Sequence, residues 1–295
     1  MSDAFQPRLF GATNLQVGPI GLGSSYGLGA AGDERAFDQG MRFFLWGSRR
    51  RSDFGAGLRN VAARHRDQSV IAIQTYTRAA SLMRFSVERA LRTLRTDYVD
   101  VLGLAWWNGA PPPRIIEAAL RLRETGKVRH LMISSHHRPY FEQATAEPAF
   151  DSIMLRYNAA HPGAEREVFP ILARRRVGVL AFTATRWGTL LDPAYLPTSE
   201  PKPRASDCYR FALTNPHVDV CLAGPRDETE LTEALAAVAR GPMSEEELAW
   251  MRRVGSVVRE RTRMQGRGVA MGLMDRAVQA FSCGSPPPPK MLGAG

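Results

Sequence analysis

The chain is poor in several things that would have decided its class at once. It has only three cysteines, Cys208, Cys221 and Cys283, in 295 residues, with no CxxC pair and no histidine at metal-ligand spacing. A disulfide framework, a structural zinc and an iron–sulfur cluster are therefore not expected, and the thiols read as reduced. No apolar run approaches the roughly 18 residues of a membrane-spanning helix, and Met1 to Arg8 lacks the charged-then-apolar order of a signal peptide. The expectation is a soluble, cytoplasmic protein that makes no membrane contact. Lysine is nearly missing too: Lys127, Lys202 and Lys290 are the only lysines among 39 basic residues. The formal net charge of +10 thus rests on arginine, spread along the chain rather than gathered in a block. A nucleic-acid or acidic-protein partner is accordingly not the favoured reading; a solvated arginine-rich surface is the plainer one. No GxGxxG opens a helix after the first strand, which argues against a dinucleotide-binding open sheet; Gly21-Leu22-Gly23-Ser24-Ser25 is only a weak echo.

What the chain does have is alternation. Strand-length apolar runs occur at Val17 to Leu22, Met41 to Gly47, Val70 to Tyr76, Asp100 to Trp106, Val128 to Ser134, Ser152 to Tyr157, Val177 to Thr183 and Val218 to Ala223. Helical patterns separate them, among them Ser81 to Thr96, Pro113 to Glu124, Glu165 to Arg175 and Ala205 to Leu213, with Asp227 to Ala239 after the eighth strand. Near-continuous apolar strands between helices predict a parallel sheet covered on both faces, and eight such units close into a (β/α)8 TIM barrel. The turn signal at Thr13-Asn14 predicts a short N-terminal β-hairpin, and Ser244 with Glu247 forms a capping box that opens a C-terminal helix to about Arg263. Residues 1–265 are then one barrel domain. The remainder, 266–295, including Pro286 to Pro289, has little core-forming power and reads as an extended or flexible tail.

Several segments carry a resemblance. The opening Leu9-Phe10-Gly11-Ala12-Thr13-Asn14-Leu15-Gln16-Val17 with Ile20-Gly21-Leu22-Gly23, then Gly40-Met41-Arg42-Phe43-Phe44, Asp97-Tyr98-Val99-Asp100-Val101-Leu102, Gly126-Lys127-Val128-Arg129 and Tyr157-Asn158 follow one another at the intervals of the aldo-keto reductase superfamily, which the chain resembles over about residues 8 to 240. The resemblance implies a nicotinamide-dependent oxidoreductase. That family reduces carbonyls with a tyrosine, a lysine, an aspartate and a histidine. At the matching positions this sequence has Arg50 for the tyrosine, Gln74 for the lysine, Leu45 for the aspartate and Ala105 for the histidine. Leu45 and Ala105 carry no titratable group, Gln74 has no charge with which to lower a phenol's pKa, and Arg50 is a poor proton donor near neutral pH. The reading is a divergent member without the tetrad, with a catalytically inactive pseudoenzyme, retained as a binding or regulatory module, as the alternative.

The same resemblance assigns cofactor contacts to Ser134, Phe182, Gly224, Arg226 and Glu233. Phe182 takes the stacking position and Arg226 offers a phosphate partner. Glu230 stands where a positive charge is often found and opposes a 2′-phosphate; NAD, NADP or neither remain open. Sites in such barrels are built at the C-terminal strand ends. Trp46, Ser48, Gln74, Tyr76, Trp106, Trp107, Ser134, His136, Arg156, Thr185, Arg186 and Trp187 fall there and suggest an aromatic small-molecule pocket. Tyr76 shares strand parity with Gln74 and is a candidate for the missing phenol; His136 is a candidate general acid. Each has a plainer reading, the tyrosine as packing and the histidine as a solvated loop residue. Arg156 and Arg186 together suit a carboxylate or phosphate, unless Arg156 simply pairs with Asp53 or Glu165. Cys208 is a weak candidate nucleophile. The oligomeric state is not legible.

Overall fold

A computed structural model describes residues 5–24, 27–47 and 51–264. The expected tail from residue 266, and with it Cys283, lies outside the described residues, as do Ser48 and Arg50. The short strands β1 (Arg8–Leu9) and β2 (Gln16–Val17) pair antiparallel as the expected hairpin. Eight further strands, β3 (Ile20–Gly23), β4 (Phe43–Trp46), β5 (Val70–Thr75), β6 (Val99–Leu104), β7 (Val128–Ser135), β8 (Ser152–Arg156), β9 (Gly178–Phe182) and β10 (Val220–Ala223), form a closed parallel barrel in which β10 returns to β3. All eight predicted strands are present, with ends shifted by one to three residues: β3 starts at Ile20 rather than Val17, most others are trimmed, and β7 runs one residue longer to Ser135.

The strands are apolar throughout because each serves two cores. Phe43, Leu45, Val70, Ala72, Val101, Met132, Met154, Leu180 and Val220 point inward and fill the barrel. Their neighbours, such as Phe44, Ile71, Ile73, Leu102, Leu131, Ile153 and Val179, point outward against the helices. The hairpin closes the bottom. Phe10 packs against Phe43 with ring centroids 5.4 Å apart, and Gly11, at φ 61°, lies so near Gly178 that a Cβ would come within 2.1 Å of its backbone nitrogen.

The helical layer consists of α1 (Ala30–Asp38), α2 (Ser52–His65), α3 (Ala80–Leu94), α4 (Pro113–Glu124), α5 (Tyr140–Ala146), α6 (Ala164–Glu167), α7 (Ala205–Thr214), α8 (Glu228–Arg240) and α9 (Glu245–Met264). In α3 the buried residues Met83, Val87, Ala90, Leu91 and Leu94 recur at helical spacing, and Pro113 starts α4 where a missing N–H costs nothing. The capping box on α9 is present: Glu247 N donates to Ser244 Oγ (3.2 Å) and Ser244 N to Glu247 Oε2 (2.9 Å). The predicted helix Glu165 to Arg175 is corrected. It is a single turn, α6, followed by a 3₁₀ segment at Phe169–Ala173, because Val168 leaves helical geometry and Pro170 has no N–H to continue the ladder. No helix among the described residues is long and apolar enough to cross a membrane.

Candidate functional site

At the C-terminal ends of the strands, an arc of rings runs around the barrel mouth. Tyr76, just past β5, meets the Trp106 indole edge-on at 5.3 Å; Trp106 meets His136 at 5.9 Å; His136 meets Phe182, the last residue of β9, at 5.6 Å. The two catalytic candidates thus lie on either side of Trp106. At the base of the arc is Gln74, buried on the inward face of β5. Its Oε1 accepts the Tyr76 hydroxyl at 2.8 Å, and its Nε2 donates to the Met154 sulfur at 3.1 Å. Leu45 and Ala105 are buried beside this centre and bring only carbon to it. Gly47 and Gly103 give Gln74 its room, since a Cβ on either would come within 3.1 Å of its side chain.

The loop after β6 holds the arc in place, and sequence reasoning missed the residue that anchors it. Arg78 donates to the carbonyls of Ala105 (3.1 Å) and Trp106 (2.9 Å) and lies over the Trp107 ring at 4.0 Å. Those contacts span 27 residues of sequence or more, so no local signal marks Arg78. Trp106 itself is at φ 58°. Thr183, Arg186 and Trp187, in the loop after β9, also have positive φ (60°, 52° and 53°). Such backbone costs energy for non-glycine residues, and here it concentrates on two loops of the mouth.

Several expected site residues sit elsewhere. Trp46 is corrected: with Phe43 and Leu45 inward, its parity turns it outward, where the indole packs on α2 against Gly55 and donates to the Arg51 carbonyl at 3.2 Å. Trp107 also faces the helices. Trp187 is 45% exposed and stands on the surface. Ser134 Oγ accepts from Trp106 N at 3.1 Å, so this serine positions the loop as well as lining the mouth. The partners considered for Arg156 are engaged with other groups: Glu165 with Arg252 (2.8 Å) and the Tyr157 hydroxyl (2.7 Å), Asp53 with Ser52 (3.1 Å). Burial pushes the Cys208 thiol well above its ordinary range, with Asp207 adding to the shift, which removes it as a nucleophile; Cys221 is raised to about 12, also by burial.

The positions that the resemblance assigns to a dinucleotide's adenosine end lie after β10. Asp227 caps α8 by accepting from Glu230 N at 2.9 Å, and Glu228 and Glu230 share the same first turn. Arg226 is engaged by Glu230, which accepts from its Nε and its backbone nitrogen, each at 2.8 Å. Glu233 is bound to Arg204 and accepts from Ser206 Oγ at 3.1 Å, fastening the loop after β9 to α8. A helix start crowded with carboxylates and an arginine already paired do not suit an added 2′-phosphate. Phe182, inward-facing and partly exposed, does suit an aromatic ring stacked at the mouth. No group of three His, Cys, Asp or Glu side chains able to hold a metal ion occurs among the described residues.

A closed (β/α)8 barrel with its aromatic and polar side chains gathered at the C-terminal mouth is an enzyme-type scaffold. The chain belongs to the aldo/keto reductase family, whose model matches residues 54–207. It is 30% identical over 175 residues to the aldo-keto reductase AFTS1 of Alternaria alternata and 31% identical over 175 residues to AMT2 of the same organism. Each match covers 56% of this chain and 45% of the relative, so the chain spans under half the length of these relatives. Among solved structures, the holo form of aldo-keto reductase AKR11C1 from Bacillus halodurans superposes with a TM-score of 0.72 at 20% identity, over 85% of this chain and 96% of that one. An aldo/keto reductase from Klebsiella pneumoniae, solved in complex with NADP and acetate, gives 0.68 at 21% identity, over 82% and 92%.

Proposed function

We propose that the protein is a divergent oxidoreductase of this family that takes up a small molecule at the barrel mouth together with a nicotinamide cofactor, NAD rather than NADP, and that Tyr76 replaces the family tyrosine as proton donor. The observation that carries this reading is the Tyr76 hydroxyl held 2.8 Å from Gln74 Oε1 at the inward end of β5, beside Trp106. A nicotinamide, when bound, supplies hydride. This chain's part is to hold and orient: Phe182 offers a ring face, Trp106 and His136 wall the mouth, and Tyr76 supplies a proton to the developing oxyanion. Gln74 accepts that proton's hydrogen bond in the resting site but brings no positive charge to it. Without a cation beside the hydroxyl, turnover is slow.

The second reading, a binding module without turnover, is favoured by Leu45 and Ala105, which put carbon where the family chemistry uses charge. Titration of the full chain with NADH and NADPH, followed by tryptophan fluorescence, tests the cofactor, and an aromatic aldehyde with each tests turnover. NADH should bind at least tenfold more tightly than NADPH, and Phe182→Ala should weaken it. Tyr76→Phe should abolish reduction while leaving NADH affinity unchanged. If neither nucleotide binds, the cofactor reading is refuted; binding without aldehyde reduction selects the module.

A further inference from the structure

The turn from β5 into α3 leaves an open groove of about 520 Å³ on the flank of the barrel mouth, whose lining includes Tyr76, Thr77, Leu82, Phe85, Ser86 and Arg89. The last four recur at helical spacing and so share one face of α3. That face is not the one that builds the core, which uses Met83, Val87, Ala90, Leu91 and Leu94. Yet it presents carbon to solvent: Leu82 is 58% exposed and Phe85 60%, the two most exposed large apolar side chains among the described residues.

The groove is continuous with the candidate site, because Gln74 and Tyr76, whose side chains meet at the base of the aromatic arc, both belong to its lining. Its wall is fixed. Thr77 Oγ1 donates to the Ala79 carbonyl and accepts from Ala79 N, each at 3.1 Å, and Arg78 donates to the Tyr76 carbonyl at 3.3 Å while it holds the loop after β6. From the mouth the groove follows α3, along whose axis Leu82 and Arg89 stand about 10 Å apart. Among the described residues of the lining, Arg89 alone carries a charge. The neighbouring carboxylate, Glu88, is taken by Lys127 and Arg84. The volume is that of a small-molecule site. Two apolar side chains, by contrast, fall far short of the roughly 800 Å² that each partner buries in a stable dimer. These proportions favour a slender apolar ligand over a second copy of the chain.

We propose that the α3 groove is a subsite for the apolar tail of an elongated molecule whose reactive end sits at Tyr76 and whose far end carries a carboxylate toward Arg89. The subsite rests on the reading of the mouth as a small-molecule site and names the class of that molecule, a linear oxo acid rather than a compact polar carbonyl compound. Covering Leu82 and Phe85 supplies the affinity by removing apolar surface from water, and the exposed Arg89 adds mainly direction.

Calorimetric titration of the full chain with octanoate, butanoate, octanol and octylamine tests it. Octanoate should bind at least tenfold more tightly than butanoate, and more tightly than octylamine. Leu82→Ser and Phe85→Ser should each weaken octanoate about fivefold or more and leave butanoate unchanged. Arg89→Gln should weaken octanoate about threefold and leave octanol unchanged. All three side chains are exposed, so the variants keep the fold and a loss of binding reports on the groove. Equal binding of octanoate and butanoate, or octanoate binding indifferent to Phe85→Ser, overturns the proposal. A fall in sedimentation mass in Phe85→Ser would also overturn it, by giving this face to a second copy of the chain. Octanoate binding without NADH binding would sink the cofactor reading alone, and NADH binding with no preference for octanoate over butanoate would sink the groove alone.

Discussion

Asp33 shows how far one residue can depart from what its neighbours in sequence suggest. In Gly32-Asp33-Glu34-Arg35 it reads as a solvated helix position, yet it is 1% exposed and neither carboxylate oxygen has a hydrogen-bond partner. The close approach of α2 at Gly57 buries it, since a Cβ there would come within 2.6 Å of Asp33 Oδ2. Burial, with Asp53 and Glu34 adding to it, raises its pKa from 3.8 to about 8. The unfolded chain therefore releases this proton near pH 4 and the folded protein not until about pH 8, so stability falls as pH rises across that window. Asp33→Asn should stabilise the protein by about 1–3 kcal/mol at pH 8, a rise of several degrees in melting temperature, and by nothing near pH 4. Thermal unfolding at pH 4, 6 and 8 measures it; a pH-independent difference would be incompatible with this account. Nothing in one sequence announces such a residue, because its burial depends on a helix more than 20 positions away.

At the scale of elements, the sequence was legible where a residue's local pattern and its tertiary role coincide. Each strand had to satisfy two cores, and that requirement alone made eight apolar runs visible. Parity was legible for Gln74 and Tyr76, two apart at the end of β5, and their side chains meet; Trp46 also stands at a strand end, but its parity, opposite to that of Phe43 and Leu45, turns it toward the helices. Less visible are the aspartates at the bottom. Asp100 accepts from Ile71 N at 2.8 Å, Asp151 from Leu131 N at 2.9 Å and Asp219 from Val179 N at 2.9 Å, each holding the backbone of an adjacent strand. Asp100 is also paired with Arg66 at 2.8 Å and is almost fully buried. Asp100→Ala would leave the Ile71 N–H unpaired and take the carboxylate from Arg66, which keeps its bonds to Ser69, Thr96 and Tyr98, at a cost of about 2–4 kcal/mol. Chemical denaturation should show a lower midpoint at an unchanged slope. A loss within experimental error would mean that water replaces the carboxylate.

At the scale of the whole molecule the two ends of the barrel are under different demands. The bottom is closed by Phe10 and Gly11 and pinned by aspartates. The mouth holds positive-φ residues at Trp106, Thr183, Arg186 and Trp187. Strain of this kind persists only where the surrounding structure supports it, which the bottom and the helical layer do. The two ends should then separate experimentally. Gly11→Ala forces a Cβ into the Gly178 backbone and should lower the melting temperature by several degrees while leaving NADH affinity unchanged below that temperature. Trp106→Gly relieves the φ of 58° but removes the ring between Tyr76 and His136; it should weaken NADH binding and cost far less stability than removal of a core tryptophan. Melting temperatures plotted against NADH affinity for these variants, with Asp100→Ala and Phe182→Ala, should fall into two groups. A single line through all four would mean that the mouth is merely one end of a uniformly coupled barrel, and the case for a built site would fail with it.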